Sequence, residues 1–326
     1  MPPHNLCAVI PVYNHGATVA AVHAQLAAQG LPCVLVDDGS EPGCAAVLDT
    51  LAAQPRTHLI RRAENGGKGA AVQDGLRAAA TFGYTHALQV DADGQHALAD
   101  AVALADASRA QPQAVICGAP VYGNDVPRSR LYGRWLTRVW VWINTLSFDI
   151  PDAMCGFRVY PLARVLPVIE QASVGRRMDF DIAILVRLHW RGVPMAWLPT
   201  RVSYPEGGVS HFKGLRDNLL ISRMHARLFF GMLGRSPALL WRRLALKAAQ
   251  AERGSPRGQA HQHGAAAFGL RGPMGIGGAQ GRGPRASRRH SRAGERPSMP
   301  KNSRACMRLI SRLSRSPLKW EMPPSG

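Results

Sequence analysis

Residues 6–118 alternate between short, almost uninterrupted apolar runs and longer stretches with helical periodicity, and few folds accommodate that pattern. The runs are LCAVIPVY (6–13), CVLVDD (33–38), HLIRR (58–62), HALQVDAD (86–93) and QAVICG (113–118). Between them lie TVAAVHAQLAAQ (18–29), which sets Val19, Val22 and Leu26 on one helical face, then CAAVLDTLAAQ (44–54), GAAVQDGLRAAATFG (69–83) and LADAVALADASRA (98–110). Strands with no polar face must be covered on both sides, which requires a mostly parallel sheet with helices on each face. The expected class is α/β. Ligands of such sheets bind beyond the C-terminal ends of the strands, and Asp37, Asp38, Asp91 and Asp93 all fall at those ends.

The pattern then changes. SRLYGRWLTRVWVWINTLSF (129–148) reads as a Trp-rich helix carrying three Arg, AMCGFRVYP (153–161) as a strand, and MDFDIAILVRLHWRG (178–192) as a helix ended by Gly192. PMAWLPTRVSYPEGGVSHF (194–212) reads as a strand followed by a loop, GLRDNLLISRMHARLFFGML (214–233) as amphipathic and basic, and the basic amphipathic helical region extends to 243. Net charge is +19 but unevenly spread: up to Arg243 there are 24 Lys and Arg against 18 Asp and Glu, and beyond it 16 against 3. Residues 1–243 are therefore expected to be the globular domain and 244–326 a basic, low-complexity tail that cannot bury enough apolar surface to order itself. Its charge allows an RNA-binding role, but it lacks the interleaved aromatic residues that single-strand binding uses. A shifted reading frame of a GC-rich gene gives the same composition. The six cysteines show no metal-like spacing and fit a reducing compartment. No signal peptide or membrane-spanning run is expected.

Three constellations carry chemistry. In LQVDADGQH (88–96), Asp91 and Asp93 follow a buried-looking strand. Hard divalent cations take carboxylate oxygens, and Mg²⁺ commonly uses one or two of them with substrate phosphates; the alternative is a polar strand end capping the next helix. In VLVDDGSE (34–41), Asp37 and Asp38 precede Gly39 and Ser40; a carboxylate there can accept hydrogen bonds from a base or ribose, or simply form a turn. In ENGGKGAAVQDG (64–75), Gly66, Gly67 and Gly69 surround Lys68 at a helix start, where N–H groups and the dipole favour anions. The spacing is neither that of a Walker A loop nor G-x-G-x-x-G.

VIPVYN (9–14), VDDGS (36–40), NGGKGAA (65–71), DADGQH (91–96) and DAMCGFRVYP (152–161) occur in one order, over roughly residues 5–215. Together they resemble the family 2 glycosyltransferases of GT-A fold, and within them the dolichyl- or polyprenyl-phosphate sugar synthases and their bacterial relatives. The resemblance implies a nucleotide-sugar donor (UDP- or GDP-linked), Mg²⁺ or Mn²⁺, and inversion at the anomeric carbon. It places Pro11, Tyr13, Asn14, Asp38 and Gly39 beside the nucleotide, Lys68 and Asp91 near its phosphates, and Asp91, Asp93 and Gln95 at the metal. Arg158, in a CGFR that resembles the subgroup's Ser-Gly-Phe-Arg, would meet a phosphate. Asp181 is the first candidate for the acidic residue under the acceptor, with Asp179 and Asp152 as further catalytic candidates. Ser210 and His211, where the subgroup has Gly-x-Ser-Lys, would meet the acceptor phosphate.

Inverting transfer is an in-line displacement in which a metal neutralises the departing diphosphate. Asp181 would serve as base to a hydroxyl acceptor, or only as a positioning group if the acceptor is already a phosphate anion; His96 and His211 are alternative bases. The implied acceptor is a lipid-linked or polyprenyl phosphate. The basic aromatic segments 129–148 and 214–243 are either packing helices or an interface lying on anionic lipid, which would make the protein cytoplasmic and peripheral at the cytoplasmic face of the membrane. No specific nucleic acid is expected. Two other readings remain: a sugar-nucleotide nucleotidyltransferase, although PVYNHGATV replaces the Gly-rich, Arg/Lys-bearing loop that chemistry uses after the first strand, and a nucleic-acid-binding protein acting through its tail.

Overall fold

The structure, a computed structural model, describes residues 3–122, 128–202 and 214–254. β1 (Leu6–Val12), β2 (Cys33–Asp37), β3 (Thr57–Arg61), β4 (His86–Gln89), β5 (Val115–Tyr122), β6 (Arg158–Pro161) and β7 (Met195–Val202) form one sheet in the order β3-β2-β1-β4-β6-β5-β7. All pairings are parallel except those of β6, which runs antiparallel to β4 and β5. This is the mostly parallel sheet that the apolar alternation requires. The stretch 153–161 departs from expectation, because only Arg158–Pro161 pair as a strand. The reason is Asp152, whose Oδ1 accepts the N–H groups of Met154 and Cys155, both at 2.8 Å. That turn diverts the donors a longer strand would give to its neighbours.

Side-chain alternation divides the core into two layers. Cys7 and Val9 of β1 join Val34, Val36 and residues of α3 (Lys68–Thr81), α6 (Leu162–Gln171) and α7 (Phe180–Trp190) on one face. Leu6, Ala8, Ile10 and Val12 join residues of α1 (Gly16–Ala28), α2 (Pro42–Ala52) and α4 (Ala101–Ala110) on the other. Full burial of each Val or Leu contributes about 1.5–3 kcal/mol relative to exposure, so a one-residue slip of β1 would sacrifice both layers at once. The free thiols of Cys7, Cys33 and Cys117 are buried in these layers as small hydrophobes.

α5 (Arg128–Thr145) is amphipathic in the reverse sense. Its buried side carries Thr137, Val141, Asn144 and Thr145, while Tyr132, Trp135, Leu136, Trp140 and Ile143 face outward. The basic helical region expected over 214–243 is two helices, α8 (Gly214–Leu233), which coincides with the amphipathic run, and α9 (Ser236–Gly254). Ser236-Pro237 is a helix-start signal, and it begins α9, which continues past Arg243. Among the described residues no helix is long and apolar enough to cross a membrane. Ser210, His211 and most of the expected tail lie outside the described residues.

Candidate active site

Two sets of carboxylates stand at the C-terminal end of the sheet. Asp37 ends β2; its Oδ1 accepts the Ser40 N–H (2.9 Å) and its Oδ2 meets Arg61 Nε (3.0 Å). Asp38 accepts the N–H of Gly66 on Oδ1 (2.9 Å) and of Gly67 on Oδ2 (2.8 Å), with Arg62 Nε 2.9 Å from Oδ1. Both are buried. Asp38, expected at a base or ribose, also anchors the Lys68 loop, because its oxygens accept the amides of the turn that leads into α3. Asn14, at φ +56°, donates its N–H to Ser40 Oγ (3.1 Å) and accepts the Glu41 N–H on Oδ1 (2.8 Å). The loops after β1 and β2 are thereby joined. Pro11 lies within β1, opposite Val36, and Tyr13 follows the strand half-buried. Asp37, Gly39, Ser40, Arg61 and Arg62 line a cleft of about 430 Å³ beside them.

The second set is a buried charge cluster. Lys68 opens α3, and its Nζ lies 2.8 Å from each oxygen of Asp91, just after β4, and 3.0 Å from Oδ2 of Asp181, in the first turn of α7. A Cβ on Gly69 would stand 2.5 Å from the Phe180 Cβ, so glycine is what lets α3 and α7 start side by side and brings Asp181 to Lys68. Gln89 Nε2 donates to Asp181 Oδ1 at 2.9 Å. Above them runs the CGFR backbone: a Cβ on Gly156 would lie 2.8 Å from Gln89 Nε2, 3.0 Å from Lys68 Nζ and 3.1 Å from Asp91 Oδ2. Burial pulls the Lys68 ammonium down, but Asp181 and Asp91 overcome it and hold its pKa above the usual lysine value. Burial likewise pushes the Asp91 carboxyl up, and Lys68 with the nearby His96 hold it well below the carboxylate range. Each therefore favours the charged form of the other.

Arg158 corrects an expectation. It is fully buried, donating from Nη1 to the carbonyl of Asp181 (2.7 Å) and the Tyr160 hydroxyl (3.2 Å), and from Nη2 to the carbonyl of Ala153 (2.8 Å). With no surface to offer a phosphate, it braces the start of α7 instead. Asp152 holds the turn before CGFR and receives Arg134 Nη1 on its Oδ2 at 2.8 Å. Asp179 accepts the Arg177 N–H at 3.1 Å and sits against Gly175, as a turn residue at the start of α7. Of the three acidic catalytic candidates, the structure brings only Asp181 to Lys68. His96 is buried, stacked on Phe157 at 5.0 Å, with Nε2 3.4 Å from Asp91 Oδ2. Gln89 was not anticipated from sequence; the one signal was a polar residue inside an apolar run.

The donors available to a metal are few. Asp93 accepts the Gln95 N–H on Oδ1 (3.0 Å), and that is its one hydrogen bond among the described residues. Asp91 already serves Lys68. Among the described residues no group of three or more His, Cys, Asp or Glu is gathered to hold an ion. This set does not form an all-protein cage; the chemistry of Asp93, a carboxylate with spare acceptor sites at a strand end, is that of a ligand for Mg²⁺ or Mn²⁺ shared with a diphosphate.

Residues 7–166 match the model of glycosyl transferase family 2. The chain is 30% identical over 229 residues to the polyprenol monophosphomannose synthase of Mycolicibacterium smegmatis, covering 65% of this chain and 83% of that one. It is 26% identical over 212 residues to the undecaprenyl-phosphate mannosyltransferase of Micrococcus luteus, covering 63% and 86%. A solved structure of glucosyl-3-phosphoglycerate synthase from Mycobacterium tuberculosis, in complex with Mn²⁺, uridine diphosphate and phosphoglyceric acid, superposes with a TM-score of 0.53 over 71% of this chain and 79% of that one. At 13% identity that likeness is one of fold. The family match begins in β1 and ends in α6, spanning both aspartate pairs, Lys68 and the CGFR loop, and the chain belongs to glycosyl transferase family 2, as a glycosyltransferase of GT-A fold.

Proposed function

We propose that the protein transfers a hexose, with inversion, from a UDP- or GDP-linked donor to a polyprenyl-phosphate or other lipid-linked acceptor. The observation that supports this best is the Lys68 clamp, two carboxylates and one ammonium fixed beneath the CGFR loop at the strand ends. Because Lys68 is already matched to Asp91 and Asp181, the charge on a departing diphosphate calls for another cation. Asp93 and Gln95 would hold that divalent ion, and when bound it neutralises the leaving group. Asp181 stands across Lys68 from Asp91, with Oδ2 3.0 Å from Nζ. It would take a proton from a hydroxyl acceptor or orient one that is already a phosphate anion.

The two named relatives act on polyprenol or undecaprenyl phosphate and mannose, which makes mannose the first sugar to test. The outward aromatic face of α5 suits an acceptor in a membrane. α5 contains four Arg and no acid, and the one acid of α8, Asp217, is buried. That composition favours anionic lipid at the cytoplasmic face.

The experiment is a panel of UDP- and GDP-sugars with Mg²⁺ or Mn²⁺ and a polyprenyl phosphate, reading the nucleotide product. Nucleoside diphosphate is the expected product; pyrophosphate would mean nucleotidyl transfer and overturn the reading. Asp93→Ala is expected to abolish release while circular dichroism and melting stay near wild type. Near-normal turnover in that variant would remove Asp93 from the metal site.

A further inference from the structure

Gln89 is a polar residue where the sheet has no use for one. It ends β4 at the centre of the sheet, opposite Val9 of β1 and Arg158 of β6, and it is fully buried. Its Oε1 has no hydrogen-bond partner. A buried, unpaired acceptor destabilises the fold, and a Leu or Val would suit this strand better. The bond its amide does make is to Asp181 Oδ1, at 2.9 Å.

Asp181 stands between two cations. Its Oδ2 lies 3.0 Å from Lys68 Nζ, and its Oδ1 lies 3.9 Å from Arg158 Nη1. Both hydrogens of Arg158 Nη1 are already given to the Asp181 carbonyl and the Tyr160 hydroxyl, so the guanidinium attracts Oδ1 by charge alone and cannot fix its direction. The Gln89 amide supplies the directional bond that sets the carboxylate's rotation. It donates to the oxygen that faces Arg158 and adds no charge of its own, so the ammonium keeps its second carboxylate.

We propose that Gln89 is a positioning residue for sugar transfer, fixing the rotation of the Asp181 carboxylate so that Oδ2 stays on Lys68. The proposal rests on the reading above that Asp181 takes part in transfer. In structural terms the side chain is a liability to the strand that is retained for the geometry of its neighbour.

The test uses the full chain with Gln89→Leu, Asp181→Asn and the double variant, measured by nucleoside diphosphate release and by thermal unfolding. Gln89→Leu is expected to melt near the wild-type temperature, because it removes an unpaired acceptor and the bond to Asp181 together. Its kcat is expected to fall about tenfold while KM for the donor stays within about twofold, the signature of an interaction made in the transition state. In the double variant the Leu substitution should add little to the loss from Asp181→Asn, since both act through one carboxylate. If Leu overpacks the site and lowers the melting temperature, Gln89→Met supplies the same loss of donor in a more adaptable side chain.

A kcat within about twofold of wild type in a folded Gln89→Leu or Gln89→Met variant, with Asp181→Asn impaired, overturns the role of Gln89 alone. Losses that multiply in the double variant overturn it as well. A fully active Asp181→Asn variant removes the role of Asp181 and takes this inference with it.

Discussion

The carboxylates of Asp37 and Asp38 and those of Asp91 and Asp181 all lie near the C-terminal edge of one sheet, yet they are held in opposite ways. At β2 the partners are backbone N–H groups and two arginines, one of them substantially exposed. Beside β4 the partner is Lys68, shared between two acids and helped by a buried amide. The first arrangement ties its oxygens to loop amides and shapes a loop. The second sets a carboxyl group on either side of an ammonium, under a backbone with no side chain in the way. A carboxylate at a strand end is thus a weak marker of chemistry until its partners are known.

The largest effect should come from removing the shared cation. Lys68→Met leaves Asp91 and Asp181 without their counter-ion in a largely buried site, and loss of one partner of such a pair destabilises by about 3 kcal/mol. Transfer should fall to background, and urea unfolding should show the stability loss. Gly156→Ala is expected to be second. Its methyl would enter the space held by Gln89, Lys68 and Asp91, so kcat should fall steeply for a stability loss of about 1–3 kcal/mol. If Gly156→Ala turns over normally, the CGFR backbone is not the roof of the reacting site.

Asp38→Ala tests the other half of the comparison. It orphans the N–H groups of Gly66 and Gly67, at a cost of about 1–3 kcal/mol, and loosens the start of α3. Unfolding should move more than catalysis, and some activity should survive. A folded, fully stable Asp38→Ala variant with no transfer would show that Asp38 works on the nucleotide directly, and the contrast drawn here would fail.

Much of this was legible in the sequence, because the cues were local. The apolar runs, their helical spacers and the Asp-Gly and Gly-Gly turns each state their own conformation within about ten residues, and the parallel sheet follows from them. The order of motifs likewise placed Lys68, Asp91 and Asp181 among the candidates. What the sequence hid was non-local. Nothing in RVYP says that it inserts antiparallel between β4 and β5, since its pairing is decided by strands distant in the chain. Arg158 reads as a free cation but is enclosed by carbonyls of residues 153 and 181. Asp38 reads as a ligand and also anchors amides 28 and 29 residues later. Ser236-Pro237 was a local cue for a helix break inside 214–243, masked by the amphipathic pattern on both sides of it.

The smallest effect separates the strand-end charges from the helices that pack beside them. His225 of α8 is buried, stacked on Trp140 at 5.8 Å, and its Nδ1 takes a hydrogen bond of 3.1 Å from Asn144 of α5. Burial pulls its pKa down to about 4. The unfolded chain, with an ordinary histidine near 6.5, therefore binds a proton that the native state refuses between those values. His225 leaves stability untouched above about pH 6.5 and lowers it as pH falls toward 4, by about 3 kcal/mol in all. Asp91 is held well below the carboxylate range and does not titrate in that window, so mild acid should loosen the α5–α8 seam before it discharges Asp91. His225→Gln keeps an acceptor for Asn144 and removes the titration. Its stability, followed by urea unfolding from pH 7 to pH 4.5, should decline less steeply than that of the wild type, while activity at pH 7 is unchanged. Parallel slopes in the two proteins would mean that the seam contributes nothing to acid sensitivity, and that the loss begins at other histidines whose pKa burial pulls down, such as His4, His23 and His86.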